Sequence, residues 1–215
     1  MELTIGPRLY STWSLRPWLV LKRAGAQFTT RDVRYDTPEG KAALNRISPT
    51  GLVPLLTVDG EMFWDSLAIS EWAAETYPQA RLWPADKTAR AYARSVTAEM
   101  HSGFSVLREH CGFGGGQKMV GPGTAKAEIT PELEANIRRL VTLFNQMRGR
   151  YGETGPWLFG EWSIADAFYT PVALRVRRYQ IDLAAYGDSE GVATQYVAHL
   201  LTQPDFLEWE ATALS

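Results

Sequence analysis

Ser48-Pro49-Thr50-Gly51-Leu52-Val53-Pro54-Leu55-Leu56-Thr57-Val58, then Asp59-Gly60, then Glu61-Met62-Phe63-Trp64-Asp65-Ser66-Leu67, is the stretch whose reading decides the fold. Val53 to Val58 and Glu61 to Trp64 are apolar strands, and the Asp59-Gly60 pair between them is a strong hairpin signal. Pro54 stands at the start of the first strand, where proline is tolerated. About 5–6% of X–Pro bonds in folded proteins are cis, so spacing alone leaves the isomer at Val53–Pro54 open. A cis bond would turn the N–H and C=O of Val53 away from the ladder, where a peptide-like ligand pairs with them as an added strand. Asp65 and Ser66 fall where the second strand becomes a helix. Asp65 reads as an N-cap. Alternatively, the Ser66 hydroxyl and the helix N–H groups take a ligand carboxylate while Asp65 meets an ammonium, a combination suited to a free amino-acid end.

Outward from this stretch, the N-terminal part alternates strand and helix. Leu3 to Gly6 and Gln27 to Tyr35 read as strands; Leu15 to Ala24, Pro38 to Ile47 and Leu67 to Tyr77 read as helices, the last closed by Pro78. The order βαβα followed by ββα requires a mixed sheet with helices on its faces. Pro78 to Lys87 reads as a linker, and helical periodicity alone follows it: Thr88 to His110, Pro131 to Tyr151, Ile164 to Gln180 and Gly191 to Leu201. The expected organisation is an α/β domain over 1–80 and an all-α domain over 88–215.

The chain has 215 residues, enough for two domains, with 45% hydrophobic and 21% charged residues. Its 22 basic and 24 acidic residues give a net charge of -2, which supplies no positive field for nucleic acid. No apolar run reaches the roughly 18 residues of a membrane span. Met1 to Ile5 reads as a strand and not as a secretory signal. Cys111 is the single cysteine and there are three histidines, which excludes an internal disulfide and a multi-cysteine zinc site; no metal is expected. A reducing, cytoplasmic setting fits, with no membrane partner.

Tyr10-Ser11-Thr12-Trp13-Ser14-Leu15-Arg16-Pro17-Trp18 is the other informative segment. Pro17 lacks an N–H and belongs in the first turn of a helix, which makes Ser14 the expected N-cap. Ser11 to Ser14 then lie between strand and helix N-terminus. There they serve either as turn and cap or as an anion site.

Taken together, these motifs resemble the cytosolic glutathione transferase superfamily over nearly the whole chain, most closely bacterial members with a YSxWSLRPW loop. The residues carrying the resemblance are the serine loop Ser11–Ser14, Ser48 to Leu56, Trp64 to Trp72, and Gly160 to Ala167 (GEWSIADA). The resemblance implies a thioredoxin-like first domain with cis Pro54, a helical second domain and a homodimer. It implies glutathione as co-substrate, held by the Val53 main chain with Leu52 and Pro54 beside it, by Asp65 and Ser66, and by Thr12 and Trp13 of the loop. Ser11 or Ser14 would donate a hydroxyl to the glutathione sulfur, with Tyr10 and Thr12 as rivals. Ser11, Thr12, Trp13 and Ser14 occupy the places of the zeta-class serine–serine–cysteine–serine loop, so Trp13 replaces the zeta cysteine. The first expectation is therefore conjugation of glutathione to a small apolar electrophile. Glutathione-dependent isomerisation of the maleylacetoacetate type, peroxide reduction and a non-catalytic binding module are the alternatives.

In the helical part, Ser163 to Asp166 has the form of a capping box, a folding element. His101, Phe104 and Arg108 are the candidates for the electrophile site, each competing with a packing role. Gly112 to Gly116 lacks the Lys-Ser/Thr of a phosphate loop and reads as a mobile connection, long enough for a lid. Arg175, Arg177 and Arg178 read as a solvated or ion-paired face, and Cys111 as an incidental thiol.

Overall fold

The computed structural model of the chain describes residues 1–215 except Asp36 and Gly115. The first part runs β1 (Glu2–Ile5), α1 (Thr12–Arg23), β2 (Thr29–Asp32), α2 (Pro38–Ile47), β3 (Leu55–Val58), β4 (Glu61–Trp64) and α3 (Ser66–Thr76). The strands form one mixed sheet in the order β2-β1-β3-β4. β1 pairs parallel with β2 and antiparallel with β3, and β3 pairs antiparallel with β4. This is the sheet that the βαβα–ββα pattern requires. β2 is shorter than its sequence reading: it is an exposed edge strand, so alternation in 27–35 has little burial behind it.

The second part is helical: α4 (Lys87–Ser102), α5 (Ser105–His110), α6 (Pro131–Tyr151), α7 (Ile164–Tyr179), α8 (Val192–Leu200) and α9 (Pro204–Leu214). Two differences from the sequence reading have physical causes. The helix expected from Thr88 to His110 is broken at Gly103 and Phe104. Phe104 takes a left-handed φ of 54°, and its side chain is buried in the core. Arg108 then closes the frayed end of α4 by donating to the carbonyls of Met100, His101 and Gly103. The second difference is α9, which buries only Phe206 and Trp209 and so leaves little periodicity to read.

α1 joins the two parts. Leu15, Trp18, Leu19, Val20 and Leu21 are all buried, and the helix packs on α3, α7 and α9. α7 is the corresponding pillar of the helical part, buried along most of its length. Its start is fixed by Asp166, whose carboxylate accepts from Ser163 N–H (2.8 Å), Ser163 Oγ–H (3.2 Å), Leu158 N–H (3.0 Å) and Tyr196 Oη–H (2.9 Å). Burial pushes this carboxyl up to about 6 against the donors that pull it down.

Beyond the glycine run, the connection is tied down at residues 119–123. Met119 N–H donates to Leu9 O at 2.8 Å, and Arg178 donates to the carbonyls of Val120, Pro122 and Gly123. Met119 and Val120 are buried. Gly115, within the glycine run, lies outside the described residues.

Asp166→Ala strands several buried donors at once. It is expected to lower stability by about 3 kcal/mol or more, roughly 6–12 °C in Tm for a chain of this size, read by thermal unfolding.

Candidate functional site

The serine loop sits at the N-terminus of α1, and the helix starts three residues earlier than the sequence reading has it. Ser11, not Ser14, is the N-cap: its φ and ψ of -83° and 81° are non-helical, and its side chain accepts from Ser14 N–H at 3.4 Å. Helix α1 therefore begins at Thr12, and Pro17 lies in its second turn. Ser14, fully buried, lies behind Ser11. Its Oγ accepts from Gly6 N–H (3.1 Å) and from Ser11 Oγ–H (2.8 Å). The end of β1 has to pass close to this pair, since a Cβ at Gly6 would lie 2.3 Å from the Tyr35 ring and 3.1 Å from Ser11 Oγ.

In front of Ser11 runs a cleft with two lobes that share Trp13, Leu52 and Val53. One, of about 280 Å³, is closed by Pro54, Trp64, Asp65 and Ser66. The other, of about 240 Å³, is closed by Ser11, Tyr35, Lys41 and Gly51. The Val53–Pro54 bond is cis, and Val53 makes no main-chain hydrogen bond among the described residues. Ser66 Oγ is buried without a partner among those residues, at the start of α3. A free main-chain edge, an unsatisfied hydroxyl and a helix N-terminus along one cleft fit a small peptide bearing an α-carboxylate. Larger grooves of about 520 Å³ (α6 against α8) and 440 Å³ (beside residues 81–86) lie away from this cleft, and neither includes the serine loop. Size does not select the site; the donor set does.

Asp65 has the cap role that the sequence allowed, and a contact with the helical part that the sequence did not announce. Its Oδ1 caps α3, accepting from Leu67 N–H (2.7 Å) and Ala68 N–H (3.2 Å). Its Oδ2 lies 3.1 Å from His101 Nε2, reached from the helical part. The cap requires a φ of 75° at Asp65, a conformation Asp tolerates better than most residues. Lys41, which the sequence reading missed, lines the second lobe and donates to Gly51 O at 2.8 Å. A single lysine on a polar helix carries no signal of its own; only the fold brings it opposite Ser11.

Beneath Trp13 lies a cationic cluster. The Arg16 guanidinium stacks on Trp13 at 4.2 Å and on Phe168 at 5.0 Å, and Arg108 approaches Trp13 at 5.3 Å. Burial, and then the like charges of Arg108 and Arg175, push the Arg16 guanidinium well below its usual range. Arg175 is pushed down to about 10, first by burial and then by Arg108. Arg16 Nε and Nη1, Arg108 Nε and Arg175 Nε are buried without partners among the described residues. Three neighbouring guanidiniums with orphan N–H groups are costly unless an anion satisfies them.

The face expected at Arg175–Arg178 is thus split. Arg177 is exposed and pairs with Glu210 at 2.6 Å, whereas Arg175 and Arg178 are buried. Of the electrophile-site candidates, His101 touches Asp65 and meets Trp13 edge-on, and Arg108 joins the arginine cluster. Phe104 packs in the core at the α4–α5 break. Thr12 is buried at the first position of α1, and neither it nor Tyr10 lines either lobe. Cys111 is buried, and burial pushes its thiol up to about 11. No cluster of metal-binding side chains occurs among the described residues.

A mixed β2-β1-β3-β4 sheet with a cis-proline cleft, joined to a helical part, defines a two-part class with a thioredoxin-like first half. The profile of the family "Glutathione S-transferase, N-terminal domain" matches residues 10–76. The chain is 31% identical to a probable maleylacetoacetate isomerase of Caenorhabditis elegans, over 84% of this chain and 83% of that one. It is 27% identical to a maleylpyruvate isomerase of Ralstonia sp., over 83% and 86%. Among solved structures, a glutathione transferase homologue from Burkholderia GL BGR1 with bound glutathione superposes with a TM-score of 0.71 at 25% identity, over 99% and 97% of the two chains. The chain belongs to the glutathione S-transferase family.

Proposed function

We propose that this protein activates the thiol of glutathione through Ser11 and adds it to the polarised double bond of a small carboxylate-bearing substrate, as a glutathione-dependent cis–trans isomerase of the maleyl type. The observation that carries the reading is the cluster of Arg16, Arg108 and Arg175 beneath Trp13, whose like charges, poorly compensated inside the protein, draw an anion toward the wall of the cleft. The relatives named as maleylacetoacetate and maleylpyruvate isomerases support it independently. This charge favours a carboxylate-bearing substrate over the small apolar electrophile expected from sequence.

Glutathione fits the cleft with its cysteinyl main chain paired to Val53. Its γ-glutamyl carboxylate lies at Ser66 and the start of α3, its ammonium at Asp65, and its far carboxylate toward Lys41. Trp13, Leu52 and Pro54 supply the walls, and Thr12 supports the loop from within. A free thiol has a pKa near 8.5, and lowering it by about two units needs about 2.7 kcal/mol. A hydrogen bond to a charged acceptor supplies about 1.5–3 kcal/mol and a helix N-terminus roughly 0.3–1 kcal/mol. Ser11 is placed for this because Ser14 backs it. When Ser11 turns its proton to the sulfur, Ser14 can donate to Ser11 Oγ while still accepting from Gly6 N–H.

The thiolate forms a C–S bond to one alkene carbon, and the π electrons move to the conjugated carbonyl as an enolate. Rotation about the resulting single bond follows. Collapse of the enolate restores the double bond in the trans form, breaks the C–S bond and returns the thiolate. The nucleophile is the glutathione sulfur, so the chemistry does not need a cysteine where Trp13 stands. If the enolate is protonated instead, the product is a conjugate, which is how a transferase activity would arise from the same site. The protein would work as a homodimer, a reading supported by exposed Met62 and Trp64 on the edge strand β4.

Ser11→Ala is expected to raise the pKa of bound glutathione by about one to two units, read from thiolate absorbance against pH, with Ser14→Ala giving a smaller rise. A larger shift in Ser14→Ala would give Ser14 the sulfur. Assayed with glutathione, maleylacetoacetate should be turned over faster than a neutral aromatic electrophile. Arg175→Met should lower kcat/KM for the former by about tenfold or more and leave the latter nearly unchanged. Equal losses on both substrates would remove the carboxylate reading. Light scattering at micromolar concentration should give twice the 24.1 kDa chain mass.

A further inference from the structure

His101 reaches out of α4 in the helical part to a carboxylate that caps α3 in the α/β part. It is a contact between the halves of the molecule that falls on the cleft itself. Asp65 Oδ1 is committed to two main-chain N–H groups, which leaves Oδ2 to face whatever the cleft holds. The Asp65 side chain is 42% exposed, and a carboxylate oxygen accepts more than one hydrogen bond, so His101 and a ligand ammonium can share it.

The surroundings of the imidazole specify its tautomer. Nδ1 is buried without a partner among the described residues, with Trp13 of α1 edge-on at 5.5 Å and Phe168 of α7 at 6.0 Å. A proton there would be a buried N–H with no acceptor, so the neutral ring carries its proton on Nε2 and donates it to Asp65. The charged groups facing the ring are Asp65 from the start of α3, Arg16 from α1 and Arg108 from α5. Burial comes first in holding His101 below its ordinary range, Asp65 opposes it, and the two arginines reinforce it.

We propose that His101 is a positioning residue of the glutathione site: neutral, it steadies Asp65 for the glutathione ammonium, and protonated, it competes with that ammonium for the same carboxylate. The inference rests on the reading of Asp65 as the ammonium partner. It predicts a loss of glutathione affinity at mildly acid pH that arises in the helical part of the protein. Neither the ammonium nor the carboxylates of glutathione titrate in that range, and S-methylglutathione lacks the thiol that would.

The test is calorimetric titration of S-methylglutathione, which has no thiol to titrate, into the full chain between about pH 7.5 and 5.5, with wild type, His101→Gln and His101→Leu. Gln keeps a neutral donor and cannot take a proton; Leu removes the donor. Wild-type Kd should rise by about three- to tenfold across this range, the effect of one added like charge beside the ammonium in a partly solvated site. His101→Gln should match wild type at the upper pH and stay flat. His101→Leu should bind several-fold more weakly at the upper pH, with kcat at saturating glutathione nearly unchanged. The same acid loss in His101→Gln, or wild-type affinity in His101→Leu, would overturn the inference while leaving the site assignment standing. Unchanged affinity in Asp65→Ala would overturn the assignment of Asp65, and the inference with it.

Discussion

Helix α1 is enclosed: α3, α7 and α9 pack against it, and its apolar residues from Leu15 to Leu21 are out of water. A helix in that position cannot drift relative to either half of the molecule, because each buried side chain is held at roughly 1.5–3 kcal/mol of transfer free energy. Its N-terminus is where the cleft opens. The serine hydroxyls are thus carried by the most constrained element of the fold, with Ser11 at the rim and Ser14 and Gly6 locked behind it. For the proposed role of Ser11, rigidity there matters, because a hydrogen bond to sulfur lowers a pKa only if its geometry is already in place when the thiol arrives.

The same enclosure explains the charge beneath the cleft. Once α1 is sandwiched, a residue two positions beyond Ser14 has no route to solvent, and Arg16 is 1% exposed. Aromatic faces at Trp13 and Phe168 partly replace its water, as cation–π contacts do in dry surroundings. They leave its hydrogen-bonding capacity unused, and Arg108 and Arg175 add charge of the same sign. Stability alone does not account for this arrangement, since apolar residues in place of buried ions usually do as well.

The architecture was largely legible because its signals are local. Asp59-Gly60 marks the hairpin, Pro38 and Pro131 open α2 and α6 at the positions expected, and Ser163 with Asp166 marks the start of α7. The cleft residues Val53, Asp65 and Ser66 were legible for the same reason, each lying at a strand or helix end with recognisable chemistry. What escaped depends on contacts distant in sequence. The cap at Ser11 rather than Ser14 is decided by the close passage of Gly6, and Phe104 leaves the helix because the core takes its ring. Arg175 and Arg178 read as surface because charge usually is. Arg178 is inside because it holds the carbonyls of Val120, Pro122 and Gly123, which no spacing rule connects to it.

The proposed function carries a risk, because a protein that handles thiol-reactive compounds can modify itself. Here the chain offers one sulfhydryl, Cys111, completely buried and with its ionisation pushed up to about 11. At neutral pH almost none of it is thiolate, and only the thiolate attacks carbon. The replacement of a loop cysteine by Trp13 and the burial of Cys111 together leave no competing nucleophile of this kind on the protein. In the proposed reaction self-alkylation then has no foothold, and an alkene entering the cleft meets a single reactive sulfur, the one that glutathione brings.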